Sequence, residues 1–221
     1  MLFSFFKKKQ KQFPEFWNKH VSLFKNNIET PLKETRFVFL DTETTGLKIN
    51  FDRILSIGAI SAKANSIDIA DSFEAYIKQD LFKKDTVKIH GIRKAGVSKI
   101  GELEALKLFL EYIQNDVLVA HHAFFDIGII NKTLERNGLG KLQNKCLDTG
   151  ILFKATKHLV NIIHKHYTLD DLCDELKIPK NDRHTASGDA FITALAFQKI
   201  MGRLNKKKDL TMKDLLQINS K

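Results

Sequence analysis

The segment that most constrains the fold is a short apolar run that ends in an acid, Arg-Phe-Val-Phe-Leu-Asp at residues 36–41. A run so short and so apolar is typical of a central strand that is buried on both faces. Two segments with alternating apolar residues follow it, at 53–62 and 66–78, and the turn-like sequence Lys-Ala-Asn at 63–65 joins them. We therefore predict that the chain contains a three-stranded meander.

The rest of the chain alternates between helical and strand patterns. In order, the patterns predict a helix at 101–114, a strand at 116–120, a helix at 123–137, a short strand at 145–148 and two or three further helices, among them 169–176 and 191–200. A short helix is also predicted at 211–218, where Thr211 and Asp214 have the spacing of a capping box. For a chain of 221 residues, this order predicts one α/β domain with a mixed sheet.

The two ends of the chain differ in charge from its middle. The formal net charge is +10, but residues 1–33 carry seven Lys and Arg against two Asp and Glu, and residues 203–221 carry six against two. Basic ends suit contact with phosphate backbones or with an anionic membrane surface, and they equally suit a role in solubility. After Pro14, residues up to 28 have apolar side chains near helical spacing. This pattern predicts an amphipathic helix, which either packs on the domain's own surface or binds a partner or membrane surface.

The cellular location is indicated by targeting signals and cysteine usage. The N-terminal sequence is apolar before it becomes basic, which reverses the order of a secretory signal, and no apolar run is long enough to span a membrane. The two cysteines, Cys146 and Cys173, lie inside apolar patterns, so we expect reduced and buried thiols. Together these features predict a cytoplasmic protein without a transmembrane segment.

Asp41 and Glu43 lie two residues apart at the end of the first predicted strand, so both side chains project from one face. Two carboxylates held together repel each other, and a divalent cation removes that repulsion. The sequence Thr-Thr-Gly-Leu at 44–47 follows, with hydroxyls and a glycine that would let a substrate backbone approach closely. Taken alone, an Asp-x-Glu pair is more often a solvated strand end, so its meaning depends on the other motifs.

Two further acids stand near the starts of predicted helices. Asp126 ends the sequence His-His-Ala-Phe-Phe-Asp, and Asp189 ends the sequence His-Thr-Ala-Ser-Gly-Asp that begins at His184. Five positions correspond to about 500° on a helix, so His184 and Asp189 would face apart if both were helical. We therefore predict that His184 lies on the preceding loop, where an imidazole beside a metal-bound carboxylate can take a proton from water. Taken alone, each of these acids could equally be a helix cap or a partner of the helix dipole.

In the order Asp-x-Glu, Asp, His-x4-Asp, these residues resemble the DnaQ-like (DEDDh) 3′-to-5′ exonuclease family, whose members include the epsilon (proofreading) subunit of DNA polymerase III. The resemblance spans about residues 36–200, and four stretches carry it: Phe-Leu-Asp-Thr-Glu-Thr-Thr-Gly-Leu at 39–47, residues 118–126, Tyr-Thr-Leu-Asp-Asp-Leu-Cys at 167–173, and Arg-His-Thr-Ala-Ser-Gly-Asp-Ala at 183–190. It implies an RNase H-like fold with a mixed five-stranded sheet flanked by helices. With the charge distribution, it divides the chain into a basic amphipathic N-terminal extension at 1–33, an exonuclease domain at 34–202 and a basic C-terminal tail at 203–221.

The resemblance also implies a catalytic site that holds two Mg²⁺ or Mn²⁺ ions. Asp41 would contact both ions, Glu43 and Asp189 would each hold one, and Asp126 would support the site directly or through water. One ion would lower the pKa of the attacking water, His184 would accept the proton, and the second ion would stabilise the departing 3′ oxygen. The products would be nucleoside 5′-monophosphates, and DNA is the expected substrate.

Substrate contacts are implied at several positions near these motifs. Leu47 resembles the family residue that wedges against the terminal base, and His90 lies in the family's His-Gly-Ile loop near the 3′ end. His122 stands where the family commonly has Asn, so the contact made by that amide is in question here. The implied set of contacts is Thr42, Thr44, Gly46, Leu47, His90, His122 and Phe125. The implied partners are single-stranded 3′ ends of nucleic acid and, in a proofreading role, a DNA polymerase subunit.

Other functions stay open on the sequence. Paired histidines at His158, His164 and His166 suggest zinc, but no Cys or acid at matching spacing joins them. The main alternative is a non-catalytic domain that binds nucleic acid or a polymerase, although four clustered carboxylates facing a polyanion would not help that role. RNA trimming and repair are further alternatives, because the contacts that distinguish ribose from deoxyribose cannot be read from the sequence.

Overall fold

The computed structural model of the protein describes residues 12–25, 30–80, 98–157, 166–205 and 209–220. Most of these residues lie in a sheet and in the helices around it. The strands are β1 (Arg36–Thr44), β2 (Ile54–Lys63), β3 (Ser66–Tyr76), β4 (Val117–Ala120) and β5 (Cys146–Asp148). The helices are α1 (Glu15–Ser22), α2 (Glu102–Ile113), α3 (Ala123–Arg136), α4 (Thr149–Thr156), α5 (Leu169–Leu176), α6 (Ala186–Leu204) and α7 (Met212–Asn219).

The strands form one mixed sheet in the order β3-β2-β1-β4-β5. The first three strands pair as antiparallel neighbours, whereas β1, β4 and β5 run parallel to one another. The predicted turn between β2 and β3 is confirmed, since Ala64 and Asn65 both have positive φ, of 51° and 66°. Two such residues in succession give the type I′ geometry that suits a two-residue hairpin. The predicted meander and mixed sheet are therefore present, with β1 at the centre.

The central strand β1 is buried between two cores, one on each face of the sheet. Phe39 belongs to the core that α6 covers, and its ring packs on Phe197 of that helix with the centroids 5.3 Å apart. Leu40, the next residue, belongs to the core that α2 and α3 cover. Both side chains are fully buried. This alternation confirms the predicted strand and fixes which later residues of β1 face α6 and which face α3.

Two elements extend beyond their predicted bounds. β1 continues past Asp41 as far as Thr44, because its backbone stays paired with β2 up to Ile54. α6 begins at residue 186, ahead of the predicted 191, where the hydroxyl of Thr185 accepts a hydrogen bond from the Gly188 N–H and caps the helix. The two acids of β1 therefore lie within a strand, and Asp189 lies in the first turn of α6.

Helix α1 packs on the domain's own surface, which was one of the two readings of its amphipathic pattern. Trp17 is buried in the core between α1 and α2. Its ring lies so close to Gly140 that a Cβ there would be 2.8 Å from it. A larger residue at Gly140 would therefore displace the tryptophan.

Helix α7 also packs against the domain. Leu215 is fully buried in the core that α6 covers, and the side chain of Asn219 accepts a hydrogen bond from the Asp148 N–H at 2.6 Å. The predicted capping box is confirmed, because Thr211 and Asp214 exchange hydrogen bonds between side chain and backbone. The division of the chain at residues 33 and 202 stays a prediction.

The cysteines and the helices were both used to predict location. Both are free thiols, and Cys173 is buried as expected, whereas Cys146 is only half-buried. Within the described ranges, no helix is both long and apolar enough to cross a membrane.

Candidate active site

Asp41 and Glu43 project from the face of β1 that α6 covers. They lie on the same face of the strand as Phe39, whose ring packs on that helix. Both acids are half-buried and lie beyond Phe39↔Val119, the last pair between β1 and β4. The two carboxylates therefore stand where the parallel part of the sheet ends.

A close approach between β2 and α6 completes this acid cluster. Gly58 pairs with Asp41 across the β1–β2 ladder. A Cβ at Gly58 would lie 2.2 Å from backbone atoms of residues 186–187, so the first turn of α6 can reach the sheet only over a glycine. As a result, one carboxylate oxygen each from Asp41, Glu43 and Asp189 lie within 4.8 Å of one another.

Asp126 approaches β1 on the first turn of α3. Its Oδ1 accepts hydrogen bonds from the Thr42 N–H at 3.0 Å and from the Thr42 hydroxyl at 2.7 Å. Thr42 lies between Asp41 and Glu43, and its side chain points to the opposite face of β1. The alternation of the strand therefore directs the two carboxylates to one face and the Thr42 hydroxyl to the other. Asp126 is buried, and it is not one of the three acids whose oxygens lie within 4.8 Å. The strand therefore holds one oxygen of Asp126 from the far side of the cluster.

The two oxygens of Asp189 have different surroundings. Arg183 donates to Oδ2 from Nη1, and from Nε it donates to Oδ1 of Asp170 at 2.8 Å. Oδ1 of Asp189 is buried and has no hydrogen-bond partner within the described part of the chain. Burying a carboxylate oxygen without a partner costs free energy. Such an oxygen is suited to a ligand that the protein does not itself supply.

His184 lies on the loop before α6, as the spacing predicted. Its φ is 65°, in the left-handed region, and its imidazole is exposed. Its N–H lies 3.4 Å from Oδ2 of Asp189, which fixes the residue beside the acid cluster. The loop is tightly folded, because the Thr185 hydroxyl donates to the Asp182 carbonyl at 2.7 Å and a Cβ at Gly188 would lie 2.1 Å from that carbonyl.

The cluster is electrostatically unfavourable when all its acids are ionised. Burial raises the pKa of Asp41 well above its ordinary value, and the charges of Asp126, Asp189 and Glu43 raise it further. Burial, followed by the charges of Asp189 and Asp126, raises the pKa of Glu43 to about 7. Burial also raises the pKa of Asp126 to about 7, although the hydrogen bonds from Thr42 lower it. The protein alone therefore does not supply enough positive charge for these carboxylates.

The residues present fit a divalent cation. Carboxylate oxygens are the ligands that Mg²⁺ and Mn²⁺ prefer. Three acids converge within 4.8 Å, and one of them, Asp189, has a buried oxygen without a partner among the described residues. A cation would also remove the repulsion that raises the pKa of Glu43. Of the histidines that suggested zinc, His158 and His164 lie outside the described residues, and the group of possible metal ligands found among the described residues consists of acids.

The predicted substrate residues that follow β1 serve partly to build the loop after it. The Thr44 hydroxyl donates to the Gly46 carbonyl at 2.8 Å. Gly46 lies against the carboxylate of Asp52, where a Cβ would be 2.7 Å from Oδ2. Leu47 is 83% exposed and available to a ligand. Thr42 is buried and engaged with Asp126.

The predicted substrate residues near α3 have different environments. His122 has a left-handed backbone with φ of 59°, a conformation that Asn and His adopt more readily than most residues, and its Nε2 lies 3.1 Å from the Tyr167 carbonyl oxygen. The left-handed conformation is thus one that either histidine or asparagine could adopt at this position. Phe125 is half-buried against the core under α3. His90 lies outside the described residues.

The family model for exonucleases (RNase_T) matches residues 38–197. The chain belongs to the exonuclease family. The match contains the acid cluster, Asp126 and His184, and it confirms the resemblance seen in the sequence motifs.

Curated relatives of this exonuclease domain are much longer proteins. It is 32% identical over 185 residues to DNA polymerase III PolC-type from Oceanobacillus iheyensis. It is 34% identical over 189 residues to DNA polymerase III PolC-type from Caldanaerobacter subterraneus subsp. tengcongensis. These alignments cover 83% and 85% of this chain but only 12% and 13% of the relatives. The exonuclease chain therefore corresponds to a small part of each polymerase.

Solved structures share the fold of this exonuclease domain. E. coli Exonuclease I in complex with a dT13 oligonucleotide gives a TM-score of 0.67 at 18% identity, covering 79% of this chain and 42% of that one. Exonuclease X in complex with 5′ overhanging duplex DNA gives a TM-score of 0.62 at 20% identity, covering 83% and 99%. The zinc ion bound form of the E. coli ExoI–ssDNA complex gives a TM-score of 0.67 at 20% identity, covering 79% and 42%. The predicted RNase H-like fold with a mixed five-stranded sheet is confirmed.

Sequence reasoning missed three residues that build the candidate active site. Gly58 interrupts a strand pattern, which is the usual signal of a close backbone approach. Arg183 lies next to His184, but its link to two acids depends on how the loop folds. Asp148 ends β5 and accepts a hydrogen bond from the Ala123 N–H at 2.8 Å, which holds the turn that leads into α3. An acid at the end of a strand is the signal that could have found it.

Proposed function

We propose that this domain is a metal-dependent 3′-to-5′ exonuclease that hydrolyses phosphodiester bonds at nucleic-acid 3′ ends, principally of DNA, and releases nucleoside 5′-monophosphates. The observation that carries the proposal is the convergence of Asp41, Glu43 and Asp189 within 4.8 Å, beside a loop that bears His184. Family membership supports the reaction class. The proposed catalytic residues are these four and Asp126.

Two divalent cations, Mg²⁺ or Mn²⁺, would be held by the acids. Asp41 would contact both, Glu43 and Asp189 one each, and Asp126 would act directly or through water. When bound, the cations would neutralise phosphate charge, lower the pKa of the attacking water and stabilise the 3′ leaving oxygen. The bonds from Thr42 leave the second oxygen of Asp126 for that support.

His184 is the proposed general base. Its imidazole is exposed on a loop whose backbone is fixed by the Thr185–Asp182 hydrogen bond of 2.7 Å, so the ring can approach a water at the edge of the acid cluster. An imidazole accepts a proton near neutral pH, whereas the acids would be engaged with metal. The ring would pass the proton to solvent after each cycle.

DNA is the proposed substrate because the relatives are DNA polymerases, and a polymerase subunit is the proposed partner. Leu47 would contact the terminal base, while Thr42, Thr44, Gly46, His122 and Phe125 would line the site around it. His90, the remaining contact that the resemblance implies, lies outside the described residues. Contacts that grip phosphate carry no sequence information, so we expect cleavage at any base. Proofreading is the role that association with a polymerase would serve.

The function is tested by incubating the full chain with a 3′-labelled single strand and with Mg²⁺, Mn²⁺ or EDTA, on matched DNA and RNA. We expect labelled mononucleotides with either metal, none in EDTA, and a higher rate on DNA. Asp41→Ala should abolish the reaction because it removes the ligand proposed for both cations. His184→Ala should lower the rate on the order of 10²–10⁴-fold, as expected for a general base, while Mn²⁺ binding by calorimetry persists.

Glu111→Ala is the matched control, since this acid is exposed on α2, outside the acid cluster. It should leave both rate and metal binding unchanged. Activity in EDTA, or activity of Asp41→Ala, would contradict the proposed mechanism. Loss of Mn²⁺ binding in His184→Ala would make this residue a metal ligand instead of a base.

A further inference from the structure

An exposed groove of about 440 Å³ runs along the outer face of α3. It is lined by residues at helical spacing, among them Phe124, Ile127 and Lys132, and by Ile49 from the loop after β1. Phe124 is 85% exposed. It lies two positions before Asp126, which puts the two side chains on opposite sides of the helix. The groove therefore lies on the side of α3 opposite to Asp126, and along the helix axis it begins within one turn of that acid.

The loop after β1 is held rigidly against α3. Asp52 accepts hydrogen bonds from the Thr45 hydroxyl at 2.8 Å and from the Lys48 N–H at 2.9 Å. Ile49 packs on Gly128 of α3, where a Cβ would be 2.9 Å from the end of its side chain. A loop fixed in this way presents its outer side chains without a further cost of ordering on binding.

Exposed apolar side chains and exposed lysines occur together on and beside these two elements. Leu47 is 83% exposed and Phe51 is 72% exposed on the loop, and Phe124 faces solvent on α3. Lys48 and Lys141 are exposed beside them, and Lys141 lines the groove. Aromatic rings next to basic groups are the combination that binds single-stranded nucleic acid, through base stacking and phosphate contacts. We propose that the groove binds nucleotides on the 5′ side of the scissile bond, with Phe124 as a stacking platform.

This proposal rests on the proposed exonuclease function. A strand whose 3′ end lies at the acid cluster must carry its next nucleotides away over the adjoining surface. The loop after β1 and the first turn of α3 both start at that cluster, and the groove lies between them. Stacking on an aromatic ring accepts any base, which suits an enzyme that cleaves without regard to sequence. The occupant is therefore a single strand longer than a dinucleotide.

The test compares binding of fluorescein-labelled oligo-dT with hydrolysis of a dinucleotide, using the full chain. Binding is measured by fluorescence anisotropy without divalent metal, so that the strand is not cleaved. Phe124→Ala should weaken oligo-dT binding on the order of tenfold, the size expected for the loss of one base–aromatic stack. It should leave the rate on the dinucleotide with Mn²⁺ unchanged. Phe124→Trp should keep the oligo-dT affinity, because the indole ring also stacks.

Ile69→Ala is the matched control, since Ile69 is 73% exposed on the edge strand β3. Its affinity for oligo-dT should equal that of the wild type. Unchanged oligo-dT affinity in Phe124→Ala, or an equal loss in Ile69→Ala, would overturn the proposal. If the wild type released no nucleotide from any substrate while Phe124→Ala still weakened binding, the exonuclease function would fail and the groove would stand.

Discussion

Replacing Gly58 with alanine should disturb the candidate active site through a single added methyl group. Gly58 lies on β2 opposite Asp41, and the first turn of α6 rests on it. The added Cβ would lie 2.2 Å from backbone atoms of α6, whereas ordinary contacts begin at 3.4 Å, so α6 must retreat by about 1.2 Å. The retreat would carry Asp189 away from Asp41.

The magnitudes of two effects of Gly58→Ala, on stability and on reaction rate, can be worked out. Forcing a methyl group into a packed contact costs about 1–3 kcal/mol of stability. For a chain of this length, each kcal/mol lowers Tm by about 2–4 °C. A displacement of about 1 Å in an active site costs on the order of 10²-fold in rate. Because the displaced residue, Asp189, is itself a proposed metal ligand, we expect activity and Mn²⁺ affinity to fall by a larger factor than stability does.

The assay measures Tm, Mn²⁺ binding by calorimetry and the rate of mononucleotide release for the same preparation. Gly202→Ala is the matched control, since Gly202 lies near the end of the same helix with nothing within 4 Å of its added Cβ. That variant should keep the wild-type rate and gain up to about 1 kcal/mol of stability from the higher helix propensity of alanine. Wild-type rate and metal affinity in folded Gly58→Ala would refute the reasoning, because they would mean that α6 need not lie where it does.

Further predictions concern pH and the end of the chain. The pKa of Glu43 is raised from its ordinary value of 4.5 to about 7, so its contribution to the stability of the metal-free protein is present below pH 4.5 and lost as pH rises through 7. Without metal, Tm should therefore fall between pH 4.5 and about 7, Mn²⁺ should reverse the fall, and Glu43→Gln should reduce it; an equal fall in Glu43→Gln would contradict the assignment. Leu215→Ala should cost about 2–5 kcal/mol in a denaturant titration, because its side chain is fully buried. Leu108→Ala, at a half-exposed position of α2, is the control, and equal stability of the two variants would mean that α7 is not part of the folded core.

The strands and most helices could be predicted because each leaves a local signal. The apolar run of β1, the turn between β2 and β3 and the helix at 169–176 are determined by neighbours in sequence, and the structure has them at or near the predicted bounds. Asp41 and Glu43 could be brought together in the same way, because strand alternation alone puts them on one face. The predicted loop position of His184 followed from helix geometry.

The rest of the site depends on contacts between distant segments, and a single sequence does not contain them. Asp189 reaches Asp41 only because Gly58, on a third element, allows α6 to touch the sheet. A glycine within a strand suggests a close approach but does not name the partner. The sequence at 183–189 gives no indication that Arg183 would bind Asp189, since that contact needs the loop before α6 to turn back on itself.

The acids of the cluster are unequal in a way that bears on how a cation would bind. Thr42 already stabilises one oxygen of Asp126, and Arg183 already stabilises one oxygen of Asp189. For Asp41, burial and the charges of three neighbouring carboxylates raise the pKa, and the charge of Arg183 opposes them. Electrostatic repulsion is therefore concentrated at Asp41, and a cation gains most by binding there. This is why substitution of Asp41 should remove metal binding more completely than substitution of Asp126.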